Sequence, residues 1–473
     1  MPRIKKQIST LLIFFLVSSL VSAPFGQGKA NAFSVGEEKE VGEKLLTMVR
    51  KNFEVLDAPD ISQYINELGQ RILTVAGPQY FDYHFFVISD KDFNAFAAPS
   101  GLIFIHSGLI EAMDSEGELI SVMAHECGHV TSRHISDRLA KSAKTSIGAA
   151  ALLIAGIALG GGGPLSQAMI TGSMAASAAM NLKFSREDEE ESDRLSYKWM
   201  QALGTDPAEM ESMLRKMYRV GVYRSANIPP YLLTHPEPKQ RMGYVQDLIM
   251  ASNQPKTYRP ADNFSFLRIK HRVLSLTRDP ATLRAQLVRK SSQGEGPQNI
   301  MAQYGLALIS QAGADYAKAE AYLNNVIQAY PDRPILKTDL ATIFIQSGRQ
   351  QQALALLDAA HSAEPNCAYT SYILAQTLEQ SGDQQKALQL FEDLLPVIPD
   401  NAMLYRTVGN LETRLGKKGA GHYYLGQYFW MEGDSKNAKY HLDETLRDSA
   451  VSQTILAKAK TLLTDIERIE KDL

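Results

Sequence analysis

The sequence predicts a mainly α-helical protein with one small β-sheet, its second half wound into an α-solenoid. Three observations carry that expectation. Apolar residues recur at helical spacing near the start, as at Val41, Leu45, Leu46 and Val49. β-Branched and aromatic residues gather in only two short runs, 83–88 and 102–105. In the second half, small residues, glycines and prolines return at a fixed step of 34 residues.

The first residues stand apart from this plan. Arg3, Lys5 and Lys6 precede an apolar run over 11–21, and small residues follow to Ala30-Asn31-Ala32. That order reads as a secretory signal peptide over 1–32, cleaved at about Phe33, rather than as an anchor, because the run is short for a membrane span. The export it implies places the mature chain in the periplasm of a Gram-negative cell. Cleavage would remove four basic residues and no acidic one, leaving 45 basic against 52 acidic. An acidic balance argues against a nucleic-acid partner. The two cysteines, Cys127 and Cys367, lie too far apart to form a disulfide framework and read as small buried residues.

A chain of 473 residues exceeds one core, so several domains are expected. Helix-compatible patterns fill 36–76, the two short strands follow, and 94–101 between them is turn-prone. A helix begins near Ser115, with Glu116 and Glu118 placed favourably in its first turn, and is expected to run to about Leu139. The apolar stretch 147–159 is too short to cross a bilayer. Together with 165–180 it reads as a buried or interfacial helical hairpin, with peripheral membrane contact as the alternative. Another helix spans roughly 185–203, a Pro-rich segment covers 228–238, and the polar stretch 252–262 marks a boundary. The expected division is therefore a first domain at 33–255, a helical linker at 256–297 and a repeat domain at 298–473.

The repeat is explicit. Pro331, Pro365 and Pro399 keep the 34-residue step, as do Ala307, Ala341 and Ala375, and Ala319, Ala353 and Ala387. Small residues fall where paired helices cross, Gly348 and Gly382 mark turns, and proline ends each second helix, which is the tetratricopeptide pattern. Degenerate units around 409–416 and 433–442 and a polar terminal helix extend and cap the array.

Chemistry enters at His125-Glu126-Cys127-Gly128-His129, an H-E-x-x-H motif. Residues four apart share a helix face, so both imidazoles reach one metal ion, while Glu126 is offset from the ligand set yet close to activated water. The donor types suit zinc, which brings the pKa of bound water toward neutrality and lets a carboxylate take its proton as it attacks a peptide carbonyl. One Zn2+ per chain is the expected cofactor, in a zincin-like metallopeptidase domain. A catalytic zinc keeps three protein ligands, and the acidic run from Phe184 to Asp193 offers Glu187, Glu189, Glu190 and Glu191. Spacing does not choose among them, and a solvated acidic helix start is the plainer meaning of such charge.

The sequence resembles the HtpX-type and BepA-like (β-barrel assembly-enhancing protease) zinc metallopeptidases over nearly the whole mature chain, since the BepA-like members join such a domain to tetratricopeptide repeats. Their F-S-R-x-x-E-x-x-A-D element corresponds to Phe184–Asp193. The resemblance implies Glu189 as third metal ligand and Asp193 as the acid orienting a histidine ligand, with Ser192 in place of alanine. Their N-A-F-A-x-P-G-G element appears as Asn94-Ala95-Phe96-Ala97-Ala98-Pro99-Ser100-Gly101, Ser100 departing from glycine. By resemblance Asn94, Ala95, Phe96 and Ala97 belong to a strand lining the cleft, on which substrate adds as a further strand. Thr234-His235-Pro236 matches a loop whose histidine caps the metal as a latch or fourth ligand, and Arg241 matches a following arginine facing the cleft. His84, His106 and His134 have no ligand spacing and read as structural.

The implied activity is a zinc endopeptidase acting on misfolded or stalled outer-membrane β-barrel proteins, with a chaperone-like part in their assembly. The implied partners are those unfolded clients and, through the repeats, the barrel-assembly machinery. The alternative, from another class, is a non-proteolytic repeat scaffold or chaperone with a structural metal.

Overall fold

In a computed structural model of the chain, the structure describes residues 33–141, 150, 151, 154, 183–223, 229–252, 258, 263–294 and 296–471. The expected signal peptide lies outside the described residues, as does nearly all of the expected 147–180 hairpin. No helix among the described residues is long and apolar enough to cross a membrane.

Helix α1 (Val35–Asn52) opens with a capping box, Ser34 and Glu37 satisfying each other's backbone N–H groups. It buries Val41, Leu45 and Val49 completely. Helix α2 (Pro59–Ala76) packs on a three-stranded sheet of β1 (His84–Ile88), β2 (Ala95–Ala98) and β3 (Leu102–His106), in the order β1-β3-β2. β1 runs parallel to β3, pairing His84 with Leu102, and β2 runs antiparallel to it, pairing Ala95 with Ile105. The outer edge of β1 is covered by Asn66, whose amide accepts from Phe85 N and donates to Phe85 O, both at 3.1 Å. β2 is the opposite edge. It occupies part of the turn-prone stretch, where alanines give little strand signal. The tight turn into β3 holds Ser100 at φ 72° and Gly101 at φ 80°. Ser100 thus adopts the left-handed conformation for which glycine is the easy choice.

Short α3 (Ser107–Ala112) leads to α4 (Glu116–Thr131), capped by the Ser115 hydroxyl accepting from Glu118 N. This helix does not continue to Leu139. Arg133, at φ 56°, turns the chain, and α5 (His134–Lys141) starts in a new direction. The left-handed residue is held by its own side chain, whose Nε lies 2.8 Å from the buried Glu38 carboxylate of α1. Helix α6 (Arg186–Ala202) begins with a second capping box, Ser185 with Asp188, and lies against α4. The two helices touch closely at Gly128. A Cβ there would sit 3.0 Å from Ser192 Cα and 3.2 Å from its Cβ, which accounts for a glycine in a helix interior where it would otherwise cost about 1 kcal/mol against alanine. Helices α7 (Ala208–Tyr223), α8 (Pro230–Thr234) and α9 (Pro238–Ala251) complete this part.

The segment expected as a helical linker forms α10 (Phe264–Thr277) and α11 (Pro280–Ser291). α10 is buried in the core shared with α2. From α12 (Pro297–Ala312) onward the chain stacks antiparallel pairs: α13 (Tyr316–Ala329), α14 (Ile335–Gln346), α15 (Gln350–Ala363), α16 (Ala368–Gln380), α17 (Gln384–Leu394), α18 (Ala402–Arg414), α19 (Lys418–Met431), α20 (Ser435–Arg447) and a last helix α21 (Gln453–Lys471). All six phased alanines are at most 2% exposed, and Gly348 and Gly382 have positive φ at the turns, as the repeat predicts.

Buried charge ties the array to the first part of the chain. Arg268 of α10 pairs through Nη1 with Asp60 of α2 at 2.9 Å, and through Nη2 with Asp339 of α14 at 2.7 Å. Arg272 adds a second contact to Asp60 at 2.8 Å. Burial alone would raise the Asp60 carboxyl, but Arg272 and Arg268 outweigh it and hold it at about 2. Farther along, Arg50 Nη2 donates to Asp400 O at 2.7 Å, and His84 Nδ1 lies 2.6 Å from the Asp400 carboxylate. Arg468 of α21 reaches Glu43 of α1 at 3.0 Å, so the array bends back to meet the N-terminal helix.

Arg268→Met leaves Asp339 buried without its partner and should cost about 3–5 kcal/mol, read as a lowered urea midpoint. An unchanged midpoint would show that this pair does not hold the two parts together. Because Asp60 titrates lower folded than its ordinary 3.8, its contribution is complete above about pH 4 and is lost as pH falls toward 2. Gly128→Val should drive α4 and α6 apart and lower both the melting temperature and the metal content, although it removes no donor group. Full metal content with an unchanged melting temperature would refute that.

Candidate metal centre

The helical offset of four places His125 and His129 side by side on α4, their Nε2 atoms 3.0 Å apart. The close α4–α6 contact then brings in Glu189, whose Oε1 is 3.5 Å from His129 Nε2 and whose Oε2 is 3.6 Å from His125 Nε2. The chain after α8 supplies His235, with Nδ1 2.9 Å from Glu189 Oε1 and 3.4 Å from His125 Nε2. One ligand atom from each of these four buried residues lies within 4.8 Å of the others. Three imidazole nitrogens and a carboxylate oxygen gathered this closely suit a divalent metal ion. The acidic run is sorted by geometry: Glu189 points inward, Glu190 pairs with Arg194 at the surface, and Glu191 accepts from Ser132 Oγ.

Charges around the four donors are matched in pairs. Asp193 Oδ1 lies 2.8 Å from His125 Nδ1, turning the other ring nitrogen, Nε2, toward the cluster. Arg241 grips Asp193 with Nε at 2.8 Å and Nη2 at 2.7 Å, and its Nη1 is 2.7 Å from Glu189 Oε2. Tyr244 also donates to Asp193. Burial would raise the Asp193 carboxyl, but Arg241 and His125 outweigh it and hold it far below the usual range. Glu189 follows the same pattern, burial opposed by Arg241 and His235. Burial pushes His129 well down, so its imidazole is neutral, as a ligand must be.

Glu126 is fully buried, and neither carboxylate oxygen has a hydrogen-bond partner. The nearest charge is His235, its Nε2 3.6 Å from Glu126 Oε1. His235 therefore touches the donor cluster with one ring nitrogen and faces Glu126 with the other. Rings hold it in place: Tyr231, one helical turn earlier, stacks on His235 at 4.3 Å and 20°. Phe184 stacks on His129 at 3.8 Å, and its backbone N–H donates to Thr234 O at 3.0 Å.

The expected substrate strand splits. Phe96 and Ala97 line a small cavity of about 30 Å3 with Ile135, Phe184, Thr234 and His235, so this edge of β2 adjoins the cluster. Asn94 and Ala95 are buried where the strand begins, the Asn94 carbonyl accepting from His106 N and Ala95 pairing with Ile105. Tyr231 and the ring of Phe184 carried no sequence signal of their own, although the four-residue step from Tyr231 to His235 is a stacking distance on a helix. His134, read as structural, lies against His129, their Nδ1 atoms 3.0 Å apart.

Comparisons with known proteins cover both parts of the chain. Residues 59–249 match the model of peptidase family M48, and 310–369 and 344–411 match tetratricopeptide repeat models. The chain is 29% identical to the beta-barrel assembly-enhancing protease of Escherichia coli (strain K12), over 75% of this chain and 82% of that protein. It is 30% identical to a putative beta-barrel assembly-enhancing protease of Vibrio cholerae, over 65% of this chain and 63% of that one. It is 28% identical to the metalloprotease LoiP of Escherichia coli (strain K12), over 39% of this chain and 72% of that one. Motif, converging donors and relatives agree: the chain is a metalloendopeptidase with a peptidase family M48 domain followed by tetratricopeptide repeats.

Proposed function

We propose that this chain is a periplasmic zinc endopeptidase, exported by a cleaved signal peptide, that hydrolyses misfolded or stalled outer-membrane β-barrel proteins and assists their assembly. The observation that carries the reading is the buried Glu126 carboxylate, without a hydrogen-bond partner, beside the converged donors of His125, His129, Glu189 and His235. His125, His129 and Glu189 would hold the zinc, the usual set of three protein ligands in a catalytic site. When bound, zinc supplies Lewis acidity and brings the pKa of water toward neutrality.

The chain's own residues do the rest. Glu126 takes the proton of the attacking water on Oε1 or Oε2 and returns it to the amine that leaves. Asp193, pinned by Arg241 and Tyr244, fixes the tautomer of His125. The free edge of β2 at Phe96 and Ala97 receives the peptide as an added strand, its backbone aligned by main-chain hydrogen bonds. Phe96 and Ala97 of that edge line one small cavity with Thr234 and His235, the segment beside the donors. His235 is accordingly the latch, and its withdrawal uncovers the metal and the strand edge together. The repeats recruit unfolded clients and the barrel-assembly machinery, as the names of the relatives suggest.

A closed set of four donors also fits a structural metal in a repeat scaffold. Glu126→Gln separates the readings. The variant should keep its zinc and lose cleavage of an unfolded β-barrel substrate by at least about 100-fold. Undiminished cleavage, or full complementation of a deletion strain, would remove Glu126 from the mechanism and favour the scaffold. His235→Ala should raise basal proteolysis, including self-cleavage. A fall in activity would instead assign His235 to support of the transition state.

A further inference from the structure

His125 has its outer ring nitrogen on the Asp193 carboxylate, but among the described residues no carboxylate pairs with His129 Nδ1. Its ring is fully buried, with Nε2 toward the donor cluster and Nδ1 on the far side. A neutral imidazole offering its lone pair at Nε2 carries its proton at Nδ1, and a buried N–H needs an acceptor. What faces it is His134, Nδ1 to Nδ1 at 3.0 Å.

We propose that His134 is the positioning residue for His129: its Nδ1 accepts the His129 Nδ1 proton, fixing the tautomer and the rotation of the ring. This rests on His129 being a metal ligand, as argued above. The polarity runs on consistently. With Nδ1 as acceptor, His134 carries its proton on Nε2, which lies 3.4 Å from Glu191 Oε2 and 4.0 Å from Asp188 Oδ1. Glu191 is held in turn by Ser132 Oγ at 2.8 Å, and Ser192 Oγ stands 3.5 Å from His134 Nδ1. Stacking on Phe184 sets the plane of the His129 ring but not its orientation within that plane, which only a directional bond can set.

The backbone is arranged for this contact. Had α4 continued, residue 134 would lie roughly 140° around the helix from residue 129, out of reach of its ring. The left-handed turn at Arg133, unfavourable for a side chain of that size and anchored on Glu38, swings His134 back onto His129.

The test compares substitutions that differ only in where they place an acceptor. In His134→Asn the Oδ1 atom stands close to the original Nδ1. His134→Leu keeps the bulk without an acceptor, and His134→Gln carries its carbonyl one bond farther out. Zinc affinity of the full mature chain is measured by competition with a chromophoric chelator, alongside the melting temperature of each metal-free form. The Leu variant should bind zinc about 10–100-fold more weakly, with Asn within a few-fold of wild type. If Leu does not fold, Gln takes its place and should show the same loss. Wild-type affinity in Leu, or equal losses in Asn and Gln, would overturn the proposal. A wild-type chain that takes up no zinc would instead sink the metallopeptidase reading itself, so the two failures are distinguishable.

Discussion

The site depends on one helix contact. His125 and His129 lie on α4 and Glu189 on α6, and the two helices can bring their donors together only because Gly128 and Ser192 meet without intervening side chains. Any larger residue at either position widens the gap by about the width of a methyl group, and donors that converge within 4.8 Å tolerate little of that. The Ser192 hydroxyl is therefore a permissible change from the alanine of the related motif, because what the position must supply is small volume. Around that contact Arg241 is set against both Asp193 and Glu189, which offsets part of the cost of burying them.

A second consequence of the geometry is economy at the mouth of the site. The segment carrying Tyr231 and His235 is fastened from outside by the backbone hydrogen bond from Phe184 to Thr234, by the Phe184 ring against His235 and by the exposed pair Arg186–Glu237, which are weak and reversible contacts. Glu189 adds a closer contact, its Oε1 2.9 Å from His235 Nδ1. Burial would lower the His235 pKa, but Glu189 and Glu126 outweigh it and raise it.

What was legible in the sequence follows from what is local. H-E-x-x-H announces a shared face because four residues are one helical turn, and the 34-residue step shows because each crossing admits only a small side chain, as at Ala341 and Ala353. Glu189 was not separable from its acidic neighbours by spacing, since only the angle at which α6 crosses α4 turns one of them inward; the resemblance supplied it. The stop after Thr131 was hidden for a related reason. Nothing in Ser132-Arg133 is a helix breaker, and the turn exists because Glu38, nearly a hundred residues earlier, holds Arg133 from outside. β2 reads as a turn from its own residues and as a strand only through the resemblance, because Ala95, Ala97 and Ala98 have little intrinsic preference for a strand and acquire it from β3 alongside.

The junction around Arg268 bears on how the two halves can be studied. Cutting the repeats away would not liberate a ready-made enzyme: it would strip Asp339 from Arg268, Asp400 from His84 and Arg50, and open the back of α2 to solvent. The solenoid is in this sense a missing wall of the catalytic half. A shortened fragment that proves inactive therefore says as much about an exposed, unbalanced seam as about the clients the repeats were supposed to deliver.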